Sequence, residues 1–404
     1  DTLTTSKIQV FLTNGLKFFG GGLMKVAVLG YGTVGKGVYD MLRTGSLLEA
    51  GPVLVRRGKA DEAFKCDDMA AICADESIDC VAEVMGGVDT AYSYAVMALK
   101  AGKHFVTSNK ALVAARGVEL AAFARENGVG FLFSAACGGA VPFLHNLELA
   151  RENDEIYSLG GILNGTTNYM LDMMQSEGLD YDAALKDAQA LGYAEADPTA
   201  DVSGLDALRK IMLGCAVAYD ILPEEGLLNE GIESLRAADA ADIKRRGLTC
   251  RLLAKGGKNA DGSIYAYVQP VLLGVDAPEC AVKKNFNMAK YTGRNSGLIV
   301  LMGQGAGRYP TASAVIRDIE CLRAGQREML TAACRTGAAD NAQSVCRYYV
   351  RLPEIYAHEL PAESASVEDG AARVITKEMS VRDMHAFAKR IRKAGAAVFF
   401  AEMA

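Results

Sequence analysis

Short apolar runs alternate with stretches of helical periodicity along the first third of the chain. Four runs are apolar and partly β-branched, which predicts buried parallel strands, at residues 25–29, 52–55, 79–85 and 104–107. Three stretches beside them have a helical pattern, at residues 36–43, 91–100 and 117–126. This alternation predicts a doubly wound α/β sheet, and ligands of such sheets bind at the carboxyl ends of the strands.

The middle of the chain has a mixed pattern. Residues 160–168 form a polar, glycine-containing turn between a strand-like run and a helix-like stretch at 169–175. Residues 204–219 are apolar nearly all round, which predicts a buried helix. We therefore expect an α+β domain after the doubly wound one.

The first 23 residues differ in pattern from the rest of the chain. They lack the charged start, the continuous apolar segment and the small-residue cleavage site of a secretory signal. Met24 opens a strand-like run at once, so we interpret residues 1–23 as an extension upstream of the natural start.

Composition excludes several classes of function. The 404 residues predict two or three domains, and the formal net charge of −6 offers no basic surface for nucleic acid. No apolar run approaches the ~20 residues that span a bilayer, so we expect no membrane partner. The cysteines form no C-x-x-C pair and the histidines are scattered, so we expect reduced thiols in a cytoplasmic protein.

The first strand runs directly into a G-x-G-x-x-G motif that contains Gly30, Gly32, Thr33, Val34 and Gly35. The first glycine permits a tight turn, the second lets the backbone approach a pyrophosphate, and the third allows close packing of helix on strand. The helix start offers free N–H groups to the anion. The motif predicts a dinucleotide site; the alternative is a glycine turn without a ligand.

Cations follow the second predicted strand, where an NAD site often carries an acid. Arg56 and Arg57 suit the 2′-phosphate of NADP, which is our first choice of cofactor, with NAD possible. The alternative is that they are solvated loop charges. Gly86, Thr107 and Lys110 follow later strands and are expected at the same ligand-binding edge.

Asp206 and Lys210 are one helical turn apart, on an apolar helix. Hydride transfer between an alcohol and a carbonyl needs a proton donor and acceptor, and a partly desolvated lysine suits that role. The alternative is a structural ion pair, because buried charges are normally paired.

The turn at 160–168 offers hydroxyls and helix-start N–H groups, which suit a carboxylate. The alternative is an ordinary capping turn that uses Thr166 or Thr167. The residues alone leave these two interpretations open.

Five segments resemble homoserine dehydrogenase in order and spacing: residues 30–35, 109–111, 161–168, 192–210 and 303–315. The resemblance covers about residues 24–322, and 195–210 is close to the family signature. The family interconverts L-homoserine and L-aspartate 4-semialdehyde with NAD(P), on the route to threonine, methionine and isoleucine. The resemblance also implies a homodimer.

The resemblance implies a role for individual residues. Lys210 would donate the proton, with Lys110 as a second catalytic lysine. Asp206 and Asp201 would position the substrate and Lys210. The implied substrate contacts are Glu195 (to the ammonium), Asp201, Gly165 and Thr166. Gly307 would help to hold the cofactor, since the late glycine segment returns to the first domain.

The resemblance also divides the chain. The expected parts are an extension over 1–23, an NAD(P)-binding Rossmann domain over 24–140 with 303–325 packed back on it, a substrate-binding, catalytic and dimerisation domain over 141–302, and a tail over 345–404.

Two features depart from the family pattern. Many members bind a monovalent cation through a glutamate where this chain has Ser134, which leaves backbone carbonyls of Cys137, Gly139 and Val141 as candidate ligands. Many members also end in a regulatory ACT domain with a D-R-P-G loop, which this tail lacks. Strands at 348–352 and 397–401 and a helix at 379–394 predict a degenerate ACT-like tail, which puts threonine feedback in doubt.

Two other functions compete with this assignment. One is a dehydrogenase for a different small amino acid or semialdehyde. Glu195 and the turn at 164–167 argue against it, because they suit a substrate with both an ammonium and a carboxylate. The other is a non-catalytic nucleotide-binding sensor, against which Lys110, Asp206 and Lys210 argue.

Overall fold

The structure, a computed structural model, describes residues 23–45, 47–368 and 370–404. The predicted extension at 1–23 therefore lies outside the described residues, apart from Leu23. The described residues form two compact units: unit 1 contains those up to 140 and those in 306–333, and unit 2 contains those in 141–305 and 334–404. Among the described residues no helix is long and apolar enough to cross a membrane.

Unit 1 is built on a six-stranded parallel sheet with the strand order β3-β2-β1-β4-β5-β6. The strands are β1 (Met24–Leu29), β2 (Leu48–Leu54), β3 (Lys65–Cys66), β4 (Cys80–Glu83), β5 (His104–Thr107) and β6 (Phe131–Leu132). The order reverses at β1, beside β4, which confirms the doubly wound prediction and makes the carboxyl ends of β1 and β4 the expected ligand edge.

The helices of unit 1 are α1 (Thr33–Thr44), α2 (Met69–Ala74), α3 (Asp89–Lys100), α4 (Lys110–Glu126) and a return helix (Arg308–Arg323). The prediction of α4 was wrong at its start, because the helix begins at Lys110 and not at residue 117. Leu112, Val113 and Ala114 are all buried, so this first turn lacks the one-sided apolar pattern that marks a surface helix.

The strand β2 was also predicted too short. It starts at Leu48, and its register with β1 shifts between Val26 and Val28, opposite Pro52. Proline cannot donate a hydrogen bond to the neighbouring strand, so an irregularity at this point is expected.

Unit 2 is built on an eleven-stranded mixed sheet with the main order β13-β12-β7-β10-β11-β19-β15-β17-β16. Its strands, together with the separate pair β8 and β14, are β7 (Ile156–Ile162), β8 (Ile221–Glu225), β9 (Leu228–Asn229), β10 (Thr249–Lys258), β11 (Ile264–Leu273), β12 (Phe286–Gly293), β13 (Gly297–Gln304), β14 (Arg335–Ala338), β15 (Val345–Pro353), β16 (Ala362–Glu368), β17 (Ala371–Thr376), β18 (Met379–Ser380) and β19 (Phe399–Met403). The strands β13 and β16 lie at the two ends of this order.

The helices of unit 2 are α5 (Phe143–Asn153), α6 (Gly165–Ser176), α7 (Tyr181–Ala190), α8 (Thr199–Val202), α9 (Leu205–Tyr219), α10 (Ala237–Arg245) and α11 (Val381–Lys393). The predicted buried helix is α9, which packs against β10. A methyl group at Gly256 of β10 would lie 2.8 Å from the sulfur of Cys215 on α9. The glycine thus lets helix and sheet approach closely.

The tail follows the order strand, short 3₁₀ helix (Glu354–Glu359), strand, strand, helix, strand. Its helix starts at Val381 and not at 379, because β18 pairs with β15 over residues 379–380. Its last strand, β19, pairs with β11 and so extends the sheet of unit 2. The assignment of this tail to the ACT family stays a prediction.

Candidate active site

The glycine motif forms a tight turn between β1 and α1. Gly30 has a φ of +101°, which favours glycine, and a methyl group at Gly35 would lie 2.1 Å from the carbonyl oxygen of Gly30. At Gly32, which precedes the first residue of α1, an added methyl would meet no described atom within 4 Å. The turn thus leaves open the approach to Gly32 and to the start of α1, next to Thr33 and Val34, as a pyrophosphate requires.

A buried acid that the sequence pattern did not single out organises the neighbouring strand ends. Glu83 is fully buried, and its carboxylate accepts hydrogen bonds from the backbone of Met85 at 2.7 Å and from the hydroxyl of Thr107 at 2.5 Å. The backbone N–H of Asn109 donates to the same hydroxyl, and its side chain donates to the carbonyl of Gly87. The hydroxyl of Thr107 therefore stabilises these loops from within the protein.

Gly86 and Lys110 stand on either side of that network. Gly86 has a φ of +91°, and an added methyl would meet no described atom within 4 Å. Lys110 is the half-buried first residue of α4, where Asn109 caps the helix by accepting from the N–H of Leu112. Gly86 and Lys110 therefore lie in the segments that follow the carboxyl ends of β4 and β5.

Arg56 and Arg57 lie exposed in the turn that follows β2. The carboxylate of Asp67 accepts from the backbone N–H of Gly58 at 2.9 Å and so holds this turn. Gly307 precedes the return helix with a φ of +126°, and the next residue, Arg308, forms an ion pair with Asp40 of α1. The return helix is thus fixed against the helix that follows the glycine motif.

Unit 2 contains the predicted pair of charges on α9. Nζ of Lys210 lies 2.7 Å from a carboxylate oxygen of Asp206 and donates to the carbonyl oxygen of Leu163 at 2.5 Å. Both charged residues are buried, with 7% and 6% of their surface exposed. The predicted contact across one helical turn is confirmed, and it places Lys210 beside the turn that leads into α6.

Asn164 connects this pair to a second carboxylate. Its amide nitrogen donates to Asp201 at 2.7 Å and to Asp206 at 2.8 Å. The hydroxyl of Thr166 donates to the carbonyl of Tyr193 at 2.6 Å and lies 3.1 Å from Asp201. Burial raises the pKa of Asp201, and the carboxylate of Asp206 raises it further.

The capping residue of α6 is Asn164, and not Thr166 or Thr167 as in the alternative interpretation of this turn. Oδ1 of Asn164 accepts from the backbone N–H of Thr167 at 2.8 Å. Gly165 is the first helical residue, and a methyl group there would lie 2.6 Å from the carbonyl oxygen of Asn285. The N-terminus of α6 thus lies within the same cluster as the two carboxylates and Lys210.

Glu195 lies in the loop between α7 and α8 with its side chain exposed. Its backbone carbonyl accepts from the side chain of Gln189 at 3.0 Å, which fixes the loop at this residue. The role predicted for its carboxylate is untested by these contacts.

The two halves of the chain match the same family. A family model described as homoserine dehydrogenase matches residues 142–319, and one described as the NAD-binding domain of homoserine dehydrogenase matches residues 30–134. The homoserine dehydrogenase of Corynebacterium glutamicum is 40% identical over 322 residues, which cover 74% of this chain and 72% of that relative. The chain belongs to the homoserine dehydrogenase family. Its activity is that of an NAD(P)-dependent oxidoreductase that interconverts L-homoserine and L-aspartate 4-semialdehyde.

Solved homoserine dehydrogenases share the fold. The enzyme from Thiobacillus denitrificans has a TM-score of 0.84 at 28% identity, and the match covers 95% of this chain and 99% of that one. A hyperthermophilic archaeal homoserine dehydrogenase in complex with NADPH has a TM-score of 0.64 at 27% identity, with 74% and 97% covered.

Many homoserine dehydrogenases bind a monovalent cation through a glutamate, and this chain has Ser134 at that position. The hydroxyl of Ser134 donates instead to the buried carboxylate of Asp318, which also accepts from the backbone of Ala135. Cys137 and Gly139 follow in unit 1, whereas Val141 begins unit 2. Across the described residues, no group of three or more His, Cys, Asp or Glu side chains is placed to hold a metal ion. The hydroxyl of Ser134 does not supply the carboxylate ligand that the family uses, so the residues present do not fit that cation site.

Proposed function

We propose that Lys210 is the proton donor for reduction of L-aspartate 4-semialdehyde and accepts the proton in the reverse direction. The supporting observation is the buried contact of its ammonium with Asp206 and with the carbonyl of Leu163. These two acceptors fix the ammonium, and general acid catalysis requires such a fixed donor. When bound, the nicotinamide supplies or accepts the hydride.

In this proposal Asp206 and Asp201 position Lys210 and the substrate. Two carboxylates near one ammonium would repel each other, and the shared donation from Asn164 reduces that repulsion. The N–H groups of Gly165 and Thr166, at the start of α6, suit the substrate carboxylate.

Two further residues are assigned by the sign of their charge and by their place in the fold. Glu195 would bind the substrate ammonium, since its exposed carboxylate has the opposite charge. Lys110 would be the second catalytic lysine; its support is its position directly after β5, at the carboxyl edge of the sheet.

We propose NADP as the preferred cofactor. The glycine turn at Gly30, Gly32 and Gly35 suits the pyrophosphate, and Arg56 and Arg57 lie exposed at the end of β2, where the 2′-phosphate would be read. The complex of a related archaeal enzyme with NADPH supports the same choice. Gly307 is proposed to contact the cofactor from the start of the return helix.

We propose that the working protein is a cytoplasmic homodimer paired through β13. This strand lies at an end of the sheet order, and Leu298, Val300 and Met302 on it are 51%, 40% and 60% exposed. A regular edge strand with three exposed apolar side chains is a strong candidate for association.

The deciding experiment monitors NADPH consumption after addition of L-aspartate 4-semialdehyde to wild type and Lys210→Ala. We expect rapid turnover by the wild type and a loss of about 10²-fold or more in kcat for the variant, with NADPH binding retained. A wild type that binds NADPH without turnover would favour the non-catalytic nucleotide-binding sensor. Turnover of another semialdehyde, but not of L-aspartate 4-semialdehyde, would assign the enzyme a different substrate. Activity with and without sodium or potassium tests the predicted backbone cation site.

A further inference from the structure

An ion pair between a buried carboxylate and an exposed arginine connects the tail to the segment that follows β9. Arg392, in the last turn of α11, donates to both carboxylate oxygens of Glu230, at 2.8 and 2.5 Å, and also to the carbonyl of Val398. The side chain of Glu230 is only 8% exposed. Burial raises the pKa of this carboxyl above its usual value, and Arg392 offsets part of that rise because its guanidinium favours the ionised form.

Other groups around Glu230 modify this balance without replacing the arginine. Glu233 raises the pKa of Glu230 by its negative charge, whereas the polar hydroxyl of Ser234 lowers it. A bidentate contact with a guanidinium also fixes the orientation of the carboxylate, which neither neighbour does.

A second ion pair, which is buried, holds the same region. Nε of Arg351, on β15 of the tail, lies 2.9 and 3.0 Å from the two oxygens of Asp239, and Arg351 also donates to the carbonyl of Ser234 at 2.7 Å. Asp239 is fully buried. The tail therefore forms ion pairs with Glu230 and with Asp239, which lie on either side of Leu235 along the chain.

The segment 229–232 lies directly against the backbone at 202–204. The side chain of Asn229 donates to the carbonyl of Ser203 at 2.7 Å, and the backbone N–H of Ile232 donates to the carbonyl of Val202 at 2.9 Å. A methyl group at Gly231 would lie 2.1 Å from that same carbonyl oxygen. Such close packing transmits displacement, since neither segment has room to move alone.

The residues at 202–204 connect the two carboxylates of the site. Asp201 lies in α8 just before them, and Asp206 lies in the first turn of α9 just after them. Gly204 precedes α9 in the left-handed region, with a φ of +85°, and a methyl group there would lie 2.6 Å from Oδ1 of Asn229. The segment 229–232 therefore packs against the residues that join Asp201 to Asp206.

We propose that Arg392 and Glu230 are positioning residues for the reaction: through the segment 229–232 they hold Asp201 and Asp206 in the geometry that Lys210 needs. The inference rests on the proposed function, which gives Lys210 its role. It makes the tail part of the catalytic architecture, independently of whether the tail binds a regulatory ligand.

The test compares Arg392→Gln with Arg390→Gln in the full chain. Arg390 lies on the same helix and pairs with Glu359 inside the tail, so its loss removes a tail ion pair that does not reach the segment 229–232. We expect Arg392→Gln to lower kcat for L-homoserine oxidation by about tenfold to a hundredfold and to shift the pH profile of kcat. The dissociation constant of NADPH should not change, and Arg392→Lys should recover part of kcat.

Glu230→Gln tests the same ion pair from the side of the carboxylate, and it serves if Arg392→Gln fails to fold. This variant leaves no buried charge unpaired, because it removes the charge of Glu230 itself. We expect its kcat to fall several-fold and its pH profile to shift in the same direction. Values of kcat and pH profiles equal to those of Arg390→Gln in both variants would overturn the positioning role. An equal loss of kcat in all three variants, with equally lowered melting temperatures, would also overturn the positioning role. That pattern would show that the ion pairs act only by stabilising the tail. Absence of turnover in the wild type would instead refute the proposed function.

Discussion

The side-chain nitrogen of Asn164 lies 2.8 Å from a carboxylate oxygen of Asp206. The same nitrogen donates to Asp201, so one amide links both carboxylates of the proposed site. Replacing Asn164 by serine keeps an oxygen that can cap the N–H of Thr167 but removes the amide nitrogen that donates to both acids. We expect kcat/KM to fall about tenfold to a hundredfold in steady-state assays. The melting temperature should fall as well, because two carboxylates lose a buried donor.

The matched control for this variant is Asp180→Ser. Asp180 caps α7 by accepting from the N–H of Ala183 at 2.8 Å, so the control changes a cap by the same residue type outside the cluster. Its kcat/KM should equal that of the wild type. If Asn164→Ser also kept full activity, the shared donation would have no part in the reaction.

Replacing Asp201 by asparagine should stabilise the fold at neutral pH while it lowers activity. Burial and the carboxylate of Asp206 raise the pKa of Asp201 above its usual value of 3.8. The native state therefore binds this proton more tightly than the unfolded state, and the associated stability is lost as pH rises through the native pKa. We expect urea denaturation at pH 7 to give a higher free energy of unfolding for the variant, with a gain that shrinks towards acid pH.

The control lies four residues earlier, at Asp197. The hydroxyl and the backbone N–H of Thr199 lower the pKa of this exposed carboxyl, so the linkage has the opposite sign. Asp197→Asn should give no gain in stability at neutral pH. A gain of equal size in both variants, or none in Asp201→Asn, would contradict the destabilising role of the buried acid.

Serine at both Arg56 and Arg57 should weaken binding of NADPH far more than that of NADH. Both guanidiniums are exposed at the end of β2, and an exposed arginine binds a phosphate mainly by charge-assisted hydrogen bonds. We expect KM for NADPH to rise about tenfold or more, with KM for NADH changed less than about threefold. Arg43→Ser, at the exposed end of α1, is the control. Equal effects on both cofactors would show that the arginines do not read the 2′-phosphate.

Glutamate at Val300 and Met302 should dissociate the proposed dimer. Both side chains are exposed on β13, and two charges there would be costly to bury in an apolar contact. Light scattering after size-exclusion chromatography should show the wild type at twice the mass of the double variant at micromolar concentration. Val367→Glu is the control, because Val367 is similarly exposed on β16 at the other end of the sheet order. A wild type of monomer mass would refute the proposal.

The sequence predicted correctly those parts of the structure that depend on residues close together along the chain. The strand, glycine turn and helix around Gly30 follow one another directly along the chain, so their arrangement depends on few long-range contacts. The contact of Asp206 with Lys210 follows from helix periodicity alone.

The features that the sequence could not predict depend on residues far apart along the chain. Asn164 meets Asp201 and Asp206 only because the turn after β7 folds beside α8 and α9. The pair of Glu230 and Arg392 joins residues 162 positions apart, and no periodic pattern links them. Glu83 is an exception that the sequence does indicate, since an acid inside an apolar strand must find buried donors.

His385 should make the protein less stable at acid pH. This residue of α11 is 9% exposed, and its Nε2 lies 3.0 Å from an oxygen of Gln269. Burial, with a smaller effect of Arg392, lowers its pKa from 6.5 to about 4, so the native ring stays neutral while the unfolded chain takes up a proton. The stability present above the unfolded pKa is lost as pH falls, by about 2 kcal/mol at pH 5 relative to pH 8.

Urea denaturation at these two pH values should therefore show a smaller loss for His385→Gln, which keeps a donor for Gln269, than for the wild type. Burial also lowers the pKa of His104, so part of the acid sensitivity should persist in the variant. His358 lies exposed on the same tail, and His358→Gln should lose as much stability as the wild type. If His385→Gln lost as much as that control, the buried ring of His385 would have no share in the acid sensitivity, and His104 and the carboxylates would have to account for all of it.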